Sequence, residues 1–306
     1  MSENWNTVTK DNPCPICEKP DWCGVTEDGS AARCMRLESD RPSSGGWIHL
    51  IGDQPKPRRE FVVRTQRKTD KEQHAQWAPI ARHLWRNAGQ AVTDLAKHLG
   101  VSRAALDALR VGYGYCDGPL CWSFPERNHN GLIVGITRRL PNPGGPTRKM
   151  CAKGSRRGLS YSDDWADHDG PVFVVEGGSD TAAGLTLGLA VVGRPSNVAM
   201  PYLVQLLGPH VGRRIVVLGE NDRKGHESLA GVVREKHDPR CPGCQLCWPG
   251  KYGMEKVWAT LRAKLSRPVE KRILSRAKDL REWLANQGLD VDDYAACCAA
   301  GRTLWK

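Results

Sequence analysis

The sequence holds no apolar run approaching the roughly 18 residues of a membrane-spanning helix. Its opening residues, MSENWNTVTKDNPCP, carry no apolar signal core. The two absences together point to a cytoplasmic chain with no membrane partner. An acidic excess is also missing. Forty-five Lys and Arg face 34 Asp and Glu, a formal net charge of +11. A basic surplus of that size suits a polyanionic partner, and nucleic acid is the commonest one. There is no internal repeat. No phosphate loop of the form G-x-x-x-x-G-K-[ST] occurs, which excludes a fused ATP-driven motor built on that loop.

What is present is a 306-residue chain of ordinary globular composition, 40% hydrophobic and 26% charged, with room for two or three domains. Its twelve cysteines are clustered. In a reducing compartment, clustered cysteines point to metal sites more than to disulfides. Cys14, Cys17, Cys23 and Cys34 fall in CPICEKPDWCGVTEDGSAARC. Four thiolates around one Zn²⁺ make a closed structural site. Cys23 and Cys34 flank VTEDGSAA, which reads as a hairpin with an Asp-Gly turn. His49 is the alternative to Cys23 as fourth ligand. A module this small buries little core, so metal supplies much of its folding free energy. A second group, His237, Cys241, Cys244 and Cys247, has the spacing of a second zinc knuckle. Its tight C-x-x-C-x-x-C run is also compatible with iron–sulfur ligation. Adjacent Cys297 and Cys298 lie in a helical tail and read as packing residues.

The intervening chain changes character several times. The stretch from Asp53 to Ala75 is polar and basic, as suits a linker. AVTDLAKHLGVSRAALDAL shows apolar residues at three- and four-residue spacing, broken at Gly100 and capped again at Ser102. Two short helices of this kind match a DNA-reading helix-turn-helix, but they are also a common packing unit. LCWSFPE and GLIVGITRRL read as strands. NPGGPTRKMCAKGSRRGLS follows, Gly- and Arg-rich with little to bury. Arg148, Lys149, Lys153, Arg156 and Arg157 would there offer charge to triphosphate or template phosphates. From Gly170 onward strands and helices alternate: PVFVVE, SDTAAGLTLGL, LAVVGRPS, PYLVQLL, RRIVVLGEND, MEKVWATLRAKL, VEKRILS and a last helix DLREWLANQG. Such alternation implies a parallel sheet covered on both faces.

Two strand ends carry the chemistry. In VFVVEGGSD, Glu176 ends an apolar strand, Gly177 and Gly178 allow a sharp turn, and Asp180 falls in the first helical turn. In IVVLGENDRKG, a second apolar strand ends in Glu220 and Asp222. Ligands of open parallel sheets sit beyond those ends. Acids gathered there repel one another unless a hard divalent cation neutralises them, and oxygen-only ligands suit Mg²⁺ or Mn²⁺. The residues therefore suggest metal-assisted phosphoryl transfer, with solvated strand caps as the plain alternative.

These segments resemble the TOPRIM domain shared by bacterial-type primases, topoisomerases and some nucleases. Glu176-Gly177-Gly178-Ser179-Asp180 matches the family's E-G-x-x-D. Glu220-Asn221-Asp222 stands where the family has D-x-D, with the first aspartate lengthened by a methylene. Lys278-Asp279 resembles the later K-D element, although Arg281 occupies a place that often carries an acid. A Cys-rich module, basic linker, hairpin, basic loop and TOPRIM segment, in that order, resemble a phage- or plasmid-type primase. The resemblance implies an α/β chain with a zinc-ribbon N-terminal module (1–52), a linker (53–75) and a mixed α+β middle subdomain (76–165). After them come a TOPRIM-like parallel-sheet domain with helices on both faces (166–290), a Cys-rich insertion near 226–252, and a tail (291–306). It further implies a DNA primase that joins ribonucleoside triphosphates on single-stranded DNA during replication, with any helicase acting in trans. Glu176, Glu220 and Asp222 would bind Mg²⁺ or Mn²⁺, with Asp180 and Asp279 in support and Lys278 near the nucleotide. The alternatives are a non-catalytic TOPRIM nucleic-acid-binding protein, motivated by Glu220, and a TOPRIM nuclease.

Overall fold

The computed structural model describes residues 5–43, 46–51, 68–141, 148–195, 201–210, 212–224, 241–265 and 267–306. The chain divides into two compact units, Met1–Thr65 with Arg223–Cys247, and Gln66–Asp222 with Trp248–Lys306.

The first unit contains a five-stranded antiparallel sheet of β1 (Trp5–Thr7), β2 (Gly24–Thr26), β3 (Ala31–Cys34), β4 (Pro42–Ser43) and β5 (Gly46–Leu50), in the order β1-β2-β3-β5-β4. The Asp28-Gly29 turn joins β2 to β3. Asp28 Oδ1 accepts from the Ser30 amide, and Gly29 takes a φ of 71°. The hairpin legible in the sequence is thus formed. Its hydrophobic centre is small, with Val8 buried among the four cysteines Cys14, Cys17, Cys23 and Cys34.

The second unit begins with α1 (Asp70–Arg86), whose start is set by a capping box. Thr69 accepts from the Glu72 amide, and the Glu72 carboxylate accepts from Thr69 N–H. The helix therefore starts before the linker boundary at residue 75 expected from composition. Residues α2 (Gly89–Leu99) and α3 (Arg103–Ala108) form the expected helix pair, with Gly100 as a left-handed C-cap and Ser102 as N-cap. Val92, Leu95, Leu99 and Leu106 are buried in the core shared with the parallel sheet. That burial marks the pair as a packing unit. Four antiparallel strands follow: β6 (Gly112–Tyr115), β7 (Leu120–Arg127), β8 (Ile133–Leu140) and β9 (Arg148–Cys151).

The parallel sheet comprises β10 (Val172–Glu176), β11 (Val191–Arg194), β12 (Ile215–Gly219) and β13 (Val269–Ile273), ordered β11-β10-β12-β13. The two-residue period of the strands decides its layers. Phe173, Val175, Val216 and Leu218 face one core with α4 (Gly177–Thr186) and α7 (Leu280–Ala285). Val172, Val174, Ile215 and Val217 face another with α5 (Pro201–Leu207) and α6 (Pro249–Leu265). Helices cover both faces, as the unbroken apolar strands require. Two boundaries differ from the sequence reading. Helix α6 starts at Pro249, a residue preorganised for a first helical position, not at Met254. After α7 the chain forms one more helix, α8 (Tyr294–Arg302), and a 3₁₀ turn (Thr303–Trp305). Its apolar contact is small, with Cys297 and Leu304 inside, so its periodic signal is weak. Among the described residues no helix is long and apolar enough to cross a membrane.

From β10 the chain crosses to β11 on one side, and then β12 pairs on the other. The strand order therefore reverses between β10 and β12. In open parallel sheets the crevice at such a reversal, beyond the carboxyl ends, is where ligands bind. Glu176 and Glu220 stand at those two ends.

Candidate active site and metal centres

The Cys14, Cys17, Cys23 and Cys34 sulfurs all lie within 4.8 Å of one another. Cys17 and Cys23 Sγ are 3.6 Å apart, close to the edge of about 3.8 Å of a tetrahedron with Zn–S bonds of about 2.3 Å. Local backbone aims them. The Glu18 amide donates to Cys14 O and the Cys14 amide to Lys19 O, closing the first turn around the C-x-x-C pair. The thiols are also hydrogen-bonded as thiolates are. Met35 N–H donates to Cys23 Sγ, and the Arg36 and Leu37 amides donate to Cys34 Sγ. The Arg36 guanidinium reaches Cys17 and Cys23 and is held by Asp21 at 2.5 Å. Burial pushes the Cys23 and Cys34 thiols up. Cys17 is drawn down by the Lys19 amide and the neighbouring thiols, against burial. This donor set fits Zn²⁺, which the four cysteines would hold in a closed shell. His49 is not part of it, because its Nε2 lies 3.1 Å from Leu37 O.

At the sheet reversal the side chains of Asp180, Glu220 and Asp279 come within 4.8 Å of one another. Each is brought there by a local device. Gly177, at φ 77°, lets β10 turn straight into α4, so Asp180 falls on the first helical turn and is buried. Glu220 follows the last residue of β12. Asp279 is the N-cap of α7, its Oδ1 accepting from the Glu282 amide at 2.8 Å. Burial and mutual repulsion act together on these acids. Burial, and then Asp279 and Glu220, hold Asp180 well above the carboxylate range. Burial, then Glu176, Asp279 and Asp222, push Glu220 to about 7, with Lys278 opposing. Three oxygen donors that resist ionising together fit a hard divalent cation.

The other two acids expected to bind metal are engaged differently. Glu176 Oε2 lies 3.2 Å from Nη1 of Arg194, which ends the neighbouring strand β11 and is fully buried. Asp222 Oδ1 accepts from the Gly250 amide at 2.9 Å. A Cβ on Gly250 would stand 2.5 Å from Glu220 O and 2.8 Å from Asp222 Oδ1, so only glycine fits there. Both acids still act on Glu220 through space.

Cations face the acids. Lys149 Nζ lies 3.4 Å from Ser179 Oγ. Desolvation of that ammonium and the nearby Arg139 and Arg281 hold Lys149 below its usual range, while Asp180 and Glu220 pull it up. Arg139, directly across from Lys149 in the β8–β9 ladder, is buried. Burial, and then Arg281, lower it to about 10. Arg139 and Arg194 were not among the residues singled out in the sequence. The signal for Arg139 was present in the alternation of ITRRL, which puts Thr137 and Arg139 on one face. For Arg194 there was none, because its partner Glu176 is eighteen residues away on another strand.

The remaining basic residues disperse. Arg156 pairs with Asp70 and donates to Lys68 O and to Tyr202 Oη, the last at 3.2 Å. Arg157 holds Glu126 with both Nε and Nη2, at 3.0 and 2.9 Å. The segment that reads as a loop with little to bury is thus tied by ion pairs to α1 and β7, with Ala152 and Leu159 buried. Lys153 donates its amide to Asp117. Lys278 O accepts from the Asn221 amide at 2.5 Å, joining the loops that carry Glu220 and Asp279. The Arg148 side chain and His237 lie outside the described residues. Cys241, Cys244 and Cys247 do come together, within 4.8 Å.

No family model matches the sequence, and no curated protein matches it. Solved structures do. One is the DnaG primase catalytic domain bound to ssDNA, at 13% identity, with 76% of this chain covering 79% of that one and a TM-score of 0.50. Others are the Aquifex aeolicus primase zinc-binding and RNA polymerase domains (11% identity, 78% and 63% covered, TM-score 0.48) and the primase fragment of the bacteriophage T7 primase-helicase protein (14%, 96% and 98%, 0.39). At such identities the likeness speaks for architecture alone: over 76% of its length this chain has the fold of the DnaG primase catalytic domain.

Proposed function

We propose that this chain is a DNA primase, joining ribonucleotides into short primers on single-stranded DNA with Mg²⁺ or Mn²⁺. One observation carries the reading. Asp180, Glu220 and Asp279 converge within 4.8 Å at the strand-order reversal of a parallel sheet, beside the cations Lys149 and Arg139. Acids without cations would suit metal storage, and cations without acids would suit simple phosphate binding. Together they suit the transfer of a nucleotidyl group from a triphosphate.

Asp180, Glu220 and Asp279 would hold the divalent ion. When bound, it would polarise the phosphoryl oxygens and lower the pKa of a ribose hydroxyl. Lys149 and Arg139 would neutralise charge on the triphosphate and on the departing pyrophosphate. Arg194 would fix Glu176 in direction at the rim, where the carboxylate would orient the attacking hydroxyl. The net charge of +11 supports a DNA template.

The test is primer synthesis on mixed-sequence single-stranded DNA with four ribonucleoside triphosphates and Mg²⁺. Short products are expected from the wild type, falling at least about a hundredfold in Glu220→Gln. No product across several templates, with DNA binding intact, would replace this reading by that of a non-catalytic binder. Mg²⁺-dependent loss of intact DNA would replace it by a nuclease.

A further inference from the structure

The Cys-rich excursion between Asp222 and Trp248 supplies none of the three acids Asp180, Glu220 and Asp279. Its described end nevertheless has the geometry of a metal site. Cys247 Sγ lies 3.7 Å from Cys244 Sγ and 3.7 Å from Cys241 Sγ. Thiolates sharing one tetrahedral Zn²⁺ stand about 3.8 Å apart, given Zn–S bonds of about 2.3 Å. The N-terminal cluster shows the same spacing, 3.6 Å between Cys17 and Cys23. Thiolates borne by different irons of a cluster stand much farther apart, so the spacing selects a single ion.

The local backbone is arranged as it is around thiolate-bound metals. The Cys244 amide donates to Cys247 Sγ at 3.2 Å. Cys247 is buried although it lies in a short, otherwise half-buried turn. A buried thiol amid other thiols and with little apolar cover is poorly explained by packing alone.

The turn has a structural reason to be rigid. The Lys224 amide donates to Cys247 O at 2.8 Å, which closes the excursion at its base. In the next residues of the chain, Trp248 Nε1 donates to Glu220 O at 3.0 Å and the Gly250 amide to Asp222 Oδ1 at 2.9 Å.

We infer that Cys241, Cys244 and Cys247 bind a second Zn²⁺, distinct from the N-terminal one, and that this ion fixes the turn that ends the excursion. Three thiolates leave the fourth position of the ion to a further donor. On binding, each thiol gives up its proton to solvent and no redox change occurs.

The test is zinc content of the purified full-length chain, by elemental analysis against protein concentration. The wild type is expected to hold two zinc ions per chain. Cys244→Ser is expected to hold one, with the N-terminal zinc retained, and Cys244→His, which keeps a donor in place, is expected to return to two. Cobalt substitution of the Cys14→Ser/Cys17→Ser variant is expected to leave one ion showing thiolate-to-cobalt charge transfer. A wild-type content of one would overturn the site without recourse to any variant. So would two zinc ions in both wild type and Cys244→Ser, or a cobalt form of the N-terminal variant without thiolate absorption. None of these readouts depends on primer synthesis, so failure here and failure of the primase reading are distinguishable.

Discussion

The Cys14–Cys34 cluster and the Asp180–Glu220–Asp279 cluster are both groups of anionic ligands held within 4.8 Å, yet they are built for opposite ends. The cysteines are four, soft and buried. They are served by amide donors at Met35, Arg36 and Leu37 and come from a sheet with almost no other core. Nothing remains open on an ion held there, and the ion stands in for a hydrophobic centre. The carboxylates are three, hard and set into the rim of a sheet already stabilised by apolar cores on both faces. The fold there does not need an ion to exist. On the proposed reading it holds acids in a state that an ion would relieve, and would leave coordination positions for substrate oxygens. On that reading one cluster would use metal to make structure, and the other would use structure to make a metal site.

The sharpest way to break that comparison is to strip each metal in turn. Apparent binding free energies of structural zinc are about 10–16 kcal/mol. Zinc removal by a strong chelator, or Cys17→Ser, is therefore expected to unfold the N-terminal sheet. Hydrogen exchange would show β2, β3 and β5 losing protection. Omitting Mg²⁺ is expected to leave β10 and β12 folded and protected while abolishing product. Protection of β3 that survives zinc loss would remove the distinction.

Next in size is a pH effect that the thiolate cluster should not share. The folded-state pKa of Glu220 is raised from 4.5 to about 7. An acid raised on folding binds its proton more tightly in the native state. Metal-free protein therefore loses stability as pH climbs from about 4.5 through about 7. The loss is on the order of 3 kcal/mol from this group, at 1.36 kcal/mol per unit. Glu220→Gln should flatten that slope in denaturant titrations, and saturating Mg²⁺ should reverse it. A metal-free wild type as stable at pH 8 as at pH 5 would mean that the acids are relieved by solvent and not poised for an ion.

How far these two sites could be read from sequence follows from how local they are. The cysteine cluster lies within twenty-one residues, and a hairpin turn marked by Asp28-Gly29 brings its halves together. Its ligands were legible by number, leaving only the choice against His49. The parallel sheet was legible because β10 and β12 are apolar without interruption, and so was the rim, since acids follow both strands. The division of labour among the acids was not. Glu176 is turned aside by Arg194, a long-range strand neighbour, and Asp222 by the amide of Gly250, on the far side of the excursion. Asp180 and Asp279 read only as supporting residues. Asp279 does cap, and still contributes an oxygen to the cluster. The basic loop misled for the same reason in reverse: Arg156 and Arg157 look unattached until Asp70 and Glu126 are placed beside them.

The role of Asp222 as an anchor gives a smaller, more local prediction. In Gly250→Ala a methyl group would press on Glu220 O and Asp222 Oδ1, and the strand end must shift by a few tenths of an ångström or more. Primer synthesis should fall by about ten- to a hundredfold, since small misplacements of reacting groups cost that much. Circular dichroism and the zinc content should be unchanged. An active Gly250→Ala would show that the acids tolerate movement, and the contrast with the rigid thiolate shell would then rest on chemistry alone.

The smallest expected effect concerns the residue that departs from the family resemblance. Glu220 reaches Asp180 and Asp279 with one more methylene than an aspartate would have. The main chain at that point is fixed by Trp248 Nε1 on Glu220 O and by the Asn221 amide on Lys278 O. It cannot readily advance to make up for a shorter arm. Glu220→Asp should therefore withdraw the carboxylate from its partners and raise the Mg²⁺ concentration for half-maximal rate several-fold, about 1 kcal/mol. The rate at saturating Mg²⁺ should stay within a few-fold of wild type. If aspartate instead improves Mg²⁺ affinity, the long arm is a handicap that this chain carries, and the site is built less tightly around glutamate than the fixed backbone implies. If aspartate abolishes activity even at saturating Mg²⁺, the extra reach places the reacting groups as well as the ion. The open cluster would then be as exacting in ligand position as the closed one.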